Sequence, residues 1–312
     1  MLHLDRATGR VEHRQFADAV DLLQPDDLLI LNDTRVSARR LSGVKPTGGQ
    51  VEALLLSGGP IEFEALLKPG RRLKPGSLLL FDDLTARVVE NLEDGVKRIR
   101  FEPHEDLAAR LQSVGHAPLP PYIHERLADE ERYQTVYGVR PGSAAAPTAG
   151  LHFTPEMLSK LTAKGVGIGR VTLHVGLDTF RPVQVENLDE HAMHGETCSV
   201  SEETAEMIAS CRGRVIAVGT TTVRTLESFA VEPNPGKMPV VRPGEMLSRL
   251  FIRPGYRFKV VDGMFTNFHL PKTTMMMMIA ALAGRERVLA AYDAAVHEQY
   301  RFLSFGDAML IL

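Results

Sequence analysis

The chain has 312 residues, 44% of them hydrophobic, with a formal net charge of -3 and 2 cysteines. That length predicts two domains and a full core without disulfide or metal staples, while the near-neutral charge excludes a global field for nucleic acid and restricts any RNA contact to a local basic patch. Cys198 and Cys211 show neither ligand spacing nor a disulfide framework, no apolar run approaches the roughly 20 residues of a membrane helix, and the opening MLHLDRATGR lacks signal architecture, so a cytoplasmic location with no membrane contact is expected.

In chain order, a short helix ending near Leu23 leads through Pro25 to a buried strand over residues 28–31, which Asn32-Asp33-Thr34-Arg35 stops. The block after it changes character. Short β-type segments over 51–56, 61–67, 77–81, 86–89 and 97–101 are separated by Gly58-Gly59-Pro60, Pro69-Gly70, Pro75-Gly76 and Asp94-Gly95. Short strands at this spacing, with turn signals between them, predict a small barrel or sandwich domain over residues 37–117.

After Pro118 strands alternate with helices. A helix over 155–164 has Thr154 as N-cap and Pro155 at its first position. A strand over 166–175, a helix over 202–211, a strand over 214–218 and a helix over 223–230 follow. Residues 232–244 carry four prolines and read as a mobile surface loop. A strand over 259–261, helices over 274–283 and 286–300, and a strand over 308–312 close the chain. The predicted fold class is therefore α/β: a mostly parallel sheet layered with helices, interrupted by a small β-barrel domain. Its discontinuous catalytic domain takes residues 1–36 and 118–312.

Several segments carry chemistry beyond what a core requires. Gly219-Thr220-Thr221-Thr222 follows the strand RVIAV and opens a helix with Arg224 in its first turn. A capped helix start needs one threonine; three after a glycine suit a bound carboxylate or phosphate. In PTAGLHFT, small residues let backbone approach a ligand, and His152 is either an acid or base near neutral pH or a hydrogen-bonded core histidine. His174 ends the strand IGRVTLHV ahead of Asp178 and Arg181, where α/β sheets bind ligands, or else it faces the core. His191, His194 and Glu196 in HAMHGE lack the further ligands or the HExxH pattern of a zinc site, so no metal is expected. The loop before the helix at 274 concentrates Asn267, His269 and Lys272. Arg253, Arg257 and Lys259 alternate with aromatic residues, either a solvated face or a surface for phosphates and bases. Met275 to Met278 reads as adaptable core filler.

PTAGLHFT, LHVGLDTFRPV, EHAMHGE, GTTTVRTLES, YRFKVVDGMFTNFHLPK and YRFLSFGDAMLIL, with LNDTRVSARRLSG nearer the start, occur in order along essentially the whole chain. Together they resemble the S-adenosylmethionine:tRNA ribosyltransferase-isomerases of queuosine biosynthesis. The resemblance implies an α/β domain interrupted by a β-barrel, and S-adenosylmethionine as a ribosyl-donating co-substrate. The implied acceptor is 7-aminomethyl-7-deazaguanine at the wobble position of a tRNA with a GUN anticodon, and the products are epoxyqueuosine in tRNA, adenine and methionine. A monomer is expected. The expected catalytic residues are His152, His174, His194, His269, Asp178 and Glu196, with the choice of general base left among the histidines. Thr148, Gly150, Arg181, Gly219, Thr220, Thr221, Thr222, Arg224, Asn267 and Lys272 are expected to bind substrate, and Arg253, Arg257 and Lys259 to meet tRNA. Two departures from the family pattern, an opening at MLHLDRATG without the usual preceding segment and Asp178 in place of a glycine, set up one alternative. That alternative is a catalytically impaired paralogue that still binds tRNA.

Overall fold

Five consecutive buried residues, Leu28–Asn32, form the strand around which the larger part of the molecule is built. A strand hidden on both faces needs cover on each side. The computed structural model describes residues 1–120, 122, 123, 125, 127–176, 188, 193, 195–231 and 240–312. Contacts divide the chain into two compact units: Met1–Thr34, Gln134–Arg140 and Ala146–Leu312 in one, Arg35–Tyr133 and Pro141–Ala145 in the other.

Along the chain come β1 (Leu2–Leu4), β2 (Val11–His13), α1 (Ala19–Leu22), β3 (Leu28–Asn32) and β4 (Thr34–Val36). The smaller unit holds β5 (Arg39–Val44), β6 (Gln50–Gly58), β7 (Glu62–Lys68), β8 (Leu78–Phe81), β9 (Leu84–Asn91), β10 (Val96–Phe101) and α2 (Leu107–Val114). β11 (Arg140–Ser143) pairs with β4. Then follow α3 (Pro155–Ala163), β12 (Gly167–Leu173), β13 (Glu196–Val200), α4 (Glu202–Ser210), β14 (Val215–Val218), α5 (Thr220–Phe229) and β15 (Gly244–Ser248). β16 (Gly263–Asn267), α6 (Thr274–Ala283), α7 (Arg285–His297) and β17 (Ala308–Ile311) complete the larger unit.

Its sheet runs β15-β13-β12-β3-β14-β16-β17-β1-β2. The four central strands β12, β3, β14 and β16 are parallel. The flanks are mixed: β13 and β15 run antiparallel to their neighbours, as do β17 against β16 and β2 against β1, while β1 is parallel to β17. The expected parallel sheet is thus the centre of a mixed one. Antiparallel neighbours need no crossover helix, and residues 5–10 alone join β1 to β2.

Alternation along the strands sorts the core. Leu29 and Leu31 of β3, Ile216 and Val218 of β14, and Phe265 of β16 point to one face, where Met157 and Leu161 of α3 pack on them. On the other face α5 lies against β12, β14 and β3, with Val223 and Leu226 fully buried. Thr154 caps α3 as predicted, its hydroxyl accepting from Met157 N at 3.2 Å. Thr273 caps α6 in the same way.

The smaller unit is a closed six-stranded barrel in the order β10-β7-β6-β5-β8-β9. Alternate residues such as Val51, Ala53 and Leu55, and Ile99 and Phe101, fill its interior, and Leu107 and Leu111 of α2 pack with them. Closure leaves the barrel no open sheet edge. β5 and α2 were not foreseen. In β5 the arginines Arg39 and Arg40 mask the period-2 pattern, and Leu41 is the buried position of the strand.

Further elements differ from expectation. The strand expected at 259–261 is irregular backbone, because those N–H groups bond to the Glu227 carboxylate, and the buried strand lies at Gly263–Asn267 instead. β13 and β15 were not anticipated. The helix expected from residue 223 begins at Thr220. Of the proline-rich loop, residues 232–239 lie outside the described residues. Among the described residues no helix is long and apolar enough to cross a membrane.

Candidate functional site

The four parallel strands end at one rim, so the residues that follow them emerge side by side: Asp33 and Thr34 after β3, His174 and Val175 after β12, Gly219 and Thr220 after β14, Phe268 and His269 after β16. β12 lies on one side of β3 and β14 on the other, the arrangement in which open α/β sheets leave a crevice for ligands. Asn32, fully buried, holds that point together. Its Nδ2 donates to Leu173 O and to Thr221 Oγ1, both at 3.1 Å, and its Oδ1 accepts from Leu173 N at 3.0 Å and Thr34 N at 3.2 Å. All the donor and acceptor capacity of the amide is used.

Above this floor lies a cavity of about 40 Å³, lined by Pro147, Thr148, Ala149, Val175, Gly219, Thr220, Thr221, Thr266, Asn267, His269 and Met275 among others. A second cavity of about 30 Å³ shares Thr220, Thr221 and Met275 with it and continues between Glu196, Arg224, Phe251, Ile252 and Met278. Two buried asparagines feed the first cavity. Asn32 donates to the Thr221 hydroxyl, and Asn267 Nδ2 donates to Thr148 Oγ1 at 2.9 Å. A hydroxyl that accepts in this way still has its own hydrogen to give, so Thr148 and Thr221 can both donate to an oxygen placed between them.

The structure distributes the predicted histidines unevenly. His269 lines the cavity; its Nε2 is 2.7 Å from the Thr266 hydroxyl, its backbone N–H donates to the Tyr292 hydroxyl, and burial pushes its pKa down to about 4. His152 stands one side chain behind: its Nε2 donates to Asn267 Oδ1 at 2.9 Å while its ring stacks on Phe16 at 5.0 Å. Burial lowers its pKa, against the opposing pull of the Asn267 bond. His174 also stands behind the cavity, with Nδ1 2.8 Å from the Thr34 hydroxyl; burial lowers its pKa and the charges of Asp33 and Glu245 oppose that. All three imidazoles are held toward the neutral form. His194, Asp178 and Arg181, with His191, lie outside the described residues.

The other predicted residues fall into two groups. Thr148, Gly219, Thr220, Thr221 and Asn267 line the first cavity, and Glu196 and Arg224 the second. Glu196 and Arg224 are both buried and paired, with Glu196 Oε1 accepting from Gly176 N and an Arg224 Nη donating to Ser248 O. Gly150 and Thr222 do other work. A side chain at Gly150 would collide with the Tyr137 hydroxyl at 1.9 Å, so a neighbouring tyrosine, fully within the fold, demands that glycine. Thr222 is fully buried and donates back to Val218 O at 2.6 Å. Lys272 is exposed, in the left-handed region at φ 60°, and Arg253, Arg257 and Lys259 lie in the loop before β16. Among the described residues no group of three or more His, Cys, Asp or Glu side chains is placed to hold a metal ion.

Sequence reasoning did not single out Asn32, Thr34, Thr266, Tyr137 or Glu227. The available signal was the polar run Asn32-Asp33-Thr34 directly after a fully apolar strand, which reads as a stop but sits where such sheets bind ligands.

The profile of the family described as "Queuosine biosynthesis protein" matches residues 1–311. S-adenosylmethionine:tRNA ribosyltransferase-isomerases of Acetivibrio thermocellus and Symbiobacterium thermophilum are each 50% identical to the chain over 319 aligned positions, which cover 100% of it and 92% of each relative. A crystal structure of an S-adenosylmethionine tRNA ribosyltransferase from Thermotoga maritima is 35% identical, covers 100% of this chain and 91% of its own, and superimposes with a TM-score of 0.53. These matches lend no support to the impaired-paralogue alternative. The chain belongs to the queuosine biosynthesis protein family, alongside these ribosyltransferase-isomerases.

Proposed function

We propose that the chain transfers and isomerises the ribosyl moiety of S-adenosylmethionine onto 7-aminomethyl-7-deazaguanine at the wobble position of a GUN-anticodon tRNA, releasing adenine and methionine and leaving epoxyqueuosine. The observation that carries this reading at the level of residues is the rim cavity, where Thr148, Thr221, and Asn267 with His269 converge from three segments of the chain. The sulfonium acidifies the 5′ carbon of the ribosyl group, and a neutral base takes that proton. His269 is the favoured acceptor because it lines the cavity and burial keeps it unprotonated. His174, placed to act through the Thr34 hydroxyl, and His194 are the runners-up, while His152 donates to Asn267 Oδ1 and so orients the amide that holds Thr148. The hydroxyls of Thr148 and Thr221 donate to ribosyl or carboxylate oxygens. The acceptor amine attacks in its neutral form as adenine leaves, and the epoxide closes as methionine departs.

Arg224 and Glu196 neutralise each other in the second cavity, so together they offer a dipolar wall to the zwitterionic methionine half. Lys272 and Arg181 complete the proposed substrate contacts, Asp178 and His194 the proposed catalytic residues, and Arg253, Arg257 and Lys259 the proposed tRNA surface. The proposed enzyme is a cytoplasmic monomer that needs no resident metal. Its catalytic domain takes residues 1–36 and 118–312 around an inserted barrel of residues 37–117. The two cavities are about tenfold below the volume of ordinary small-molecule sites. Half-buried Met275, which lines both, has the unbranched, adaptable side chain that joining them would require.

The test is release of adenine from S-adenosylmethionine by the full chain, with and without tRNA bearing the deazaguanine precursor. Adenine formed in step with RNA modification, and only with precursor-bearing tRNA, is the expected result. Saturating binding of that tRNA with no adenine released would overturn the proposal.

A further inference from the structure

Glu227 lies on α5, within the same helix that brings Thr220, Thr221 and Arg224 to the cavities, and is 3% exposed. Its carboxylate accepts four hydrogen bonds from one neighbouring segment. Oε2 takes the Tyr256 hydroxyl at 3.1 Å and Lys259 N at 3.0 Å, and Oε1 takes Val260 N and Val261 N, both at 3.0 Å. A carboxylate has about four lone-pair sites, so this one is saturated by a single loop. Regular structure would satisfy those N–H groups with backbone carbonyls; here one side chain does so, and the loop's shape depends on it.

That loop has two sides. At its tip Arg253-Pro254-Gly255-Tyr256 makes a type II turn, with Gly255 at φ 99° and Tyr256 N donating to Arg253 O at 3.0 Å. The Arg253 guanidinium lies 6.0 Å from the centroid of the Phe251 ring, and Arg257 is exposed. On the inner side Leu250, Phe251 and Ile252 line the second cavity. One short stretch of chain thus carries exposed Arg257 and half-buried Arg253 and Lys259 beside the apolar groups that line the cavity. A buried anion cannot itself meet an RNA phosphate, so any effect of Glu227 on RNA must pass through the loop.

We infer that Glu227 is the positioning residue of the RNA grip: its carboxylate holds the loop so that Arg253, Arg257 and Lys259 engage phosphates of the acceptor RNA in register with the cavity behind Phe251 and Ile252. The inference rests on the proposed reaction with tRNA. Glu227→Gln preserves size and replaces two acceptor sites by donors that face backbone N–H groups. For the full chain acting on an anticodon stem-loop RNA that carries the precursor base, this variant is expected to raise the KM for RNA about tenfold while the KM for S-adenosylmethionine moves by less than about twofold. The slope of log affinity against log salt should become shallower by about one for each phosphate that the loop no longer neutralises. Tyr256→Phe removes one of the four bonds and should shift the same quantities in the same direction by less, which keeps the test available if the first variant folds poorly. An unchanged KM for RNA and an unchanged salt slope in both variants would overturn the inference, whatever the melting temperature does. Arg253→Ala with Arg257→Ala separates the two levels: loss of salt-sensitive binding there without any effect of Glu227→Gln sinks the positioning role alone. No effect of the double arginine variant removes the proposed RNA surface itself.

Discussion

The two rims of the parallel sheet are both polar and buried, yet they are built differently. At the amino-terminal rim Asp27, just ahead of β3, is 2% exposed, and Arg214, just ahead of β14, binds it. Asp27 Oδ1 accepts from Arg214 N at 2.8 Å and Nε at 3.2 Å, and Oδ2 accepts from Gln24 N at 2.8 Å and Arg214 Nη2 at 2.6 Å. At the carboxyl-terminal rim the floor is an amide, the walls carry hydroxyls, and the imidazole is neutral. At the first rim Asp27 uses all its acceptor sites on Arg214 and Gln24 and keeps none for a ligand. The second satisfies its amides internally and relays hydrogen-bond donors outward through Thr148 and Thr221. Where buried polarity is saturated it locks strands together; where it leaves a hydroxyl hydrogen facing a cavity, that hydrogen is available to a ligand.

The contrast is broken most severely if the recognising rim proves inert. His269→Ala is expected to lower kcat by about 10²- to 10⁴-fold, the range for losing a general acid or base, with little loss of melting temperature. Near-normal turnover in both His269→Ala and His174→Ala would move the proton transfer away from this rim. Asp27→Asn should do the reverse. It is expected to cost about 2–3 kcal/mol of stability in urea unfolding, the scale of hydrogen bonds to a charged group on a partly exposed partner, while turnover per folded molecule stays intact. Loss of turnover at constant stability would erase the distinction between the rims.

Acidity separates the rims more gently. Burial holds His269 down to about 4 from an ordinary 6.5, so below 6.5 the unfolded chain binds a proton that the folded chain refuses. Stability should therefore fall as pH drops from 6.5 toward 4, and lowered values at His152 and His174 add to the same slope. Burial pushes Asp27 up, but the Arg214 guanidinium and the backbone donors more than offset it, leaving Asp27 below its ordinary 3.8. Its contribution is complete above 3.8 and is lost as pH falls further. Urea unfolding across this range should show two steps, and His269→Gln should flatten the upper one only.

Most of the architecture was legible because the chain's periodicities agree with its contacts. The apolar run at β3 reads directly as a strand covered on both faces, and Thr154-Pro155 reads as a helix start. The site was legible as a set of loops and less so as side chains. Gly150 and Thr222 stand in the right motifs, yet one accommodates Tyr137 and the other bonds back to the end of β14. A motif gives the type of residue and not the direction in which it points. Asn32 and Glu227 escaped for a different reason. Their partners lie far along the chain: Asn32 bonds to Leu173 and Thr221, and Glu227 to the loop at 256–261. No local pattern reports such pairings. The same long-range bonds explain why the expected strand at 259–261 failed: a carboxylate outcompeted a neighbouring strand for its N–H groups.

The choice of an amide at residue 32 has a consequence for kinetics. A carboxamide has no proton to gain or lose in the working range of an enzyme, so the link that Asn32 makes between β12, β3 and α5 does not change with acidity. A bend in a plot of log rate against pH therefore starts at titrating groups such as His269, His174 and His152, and never at residue 32.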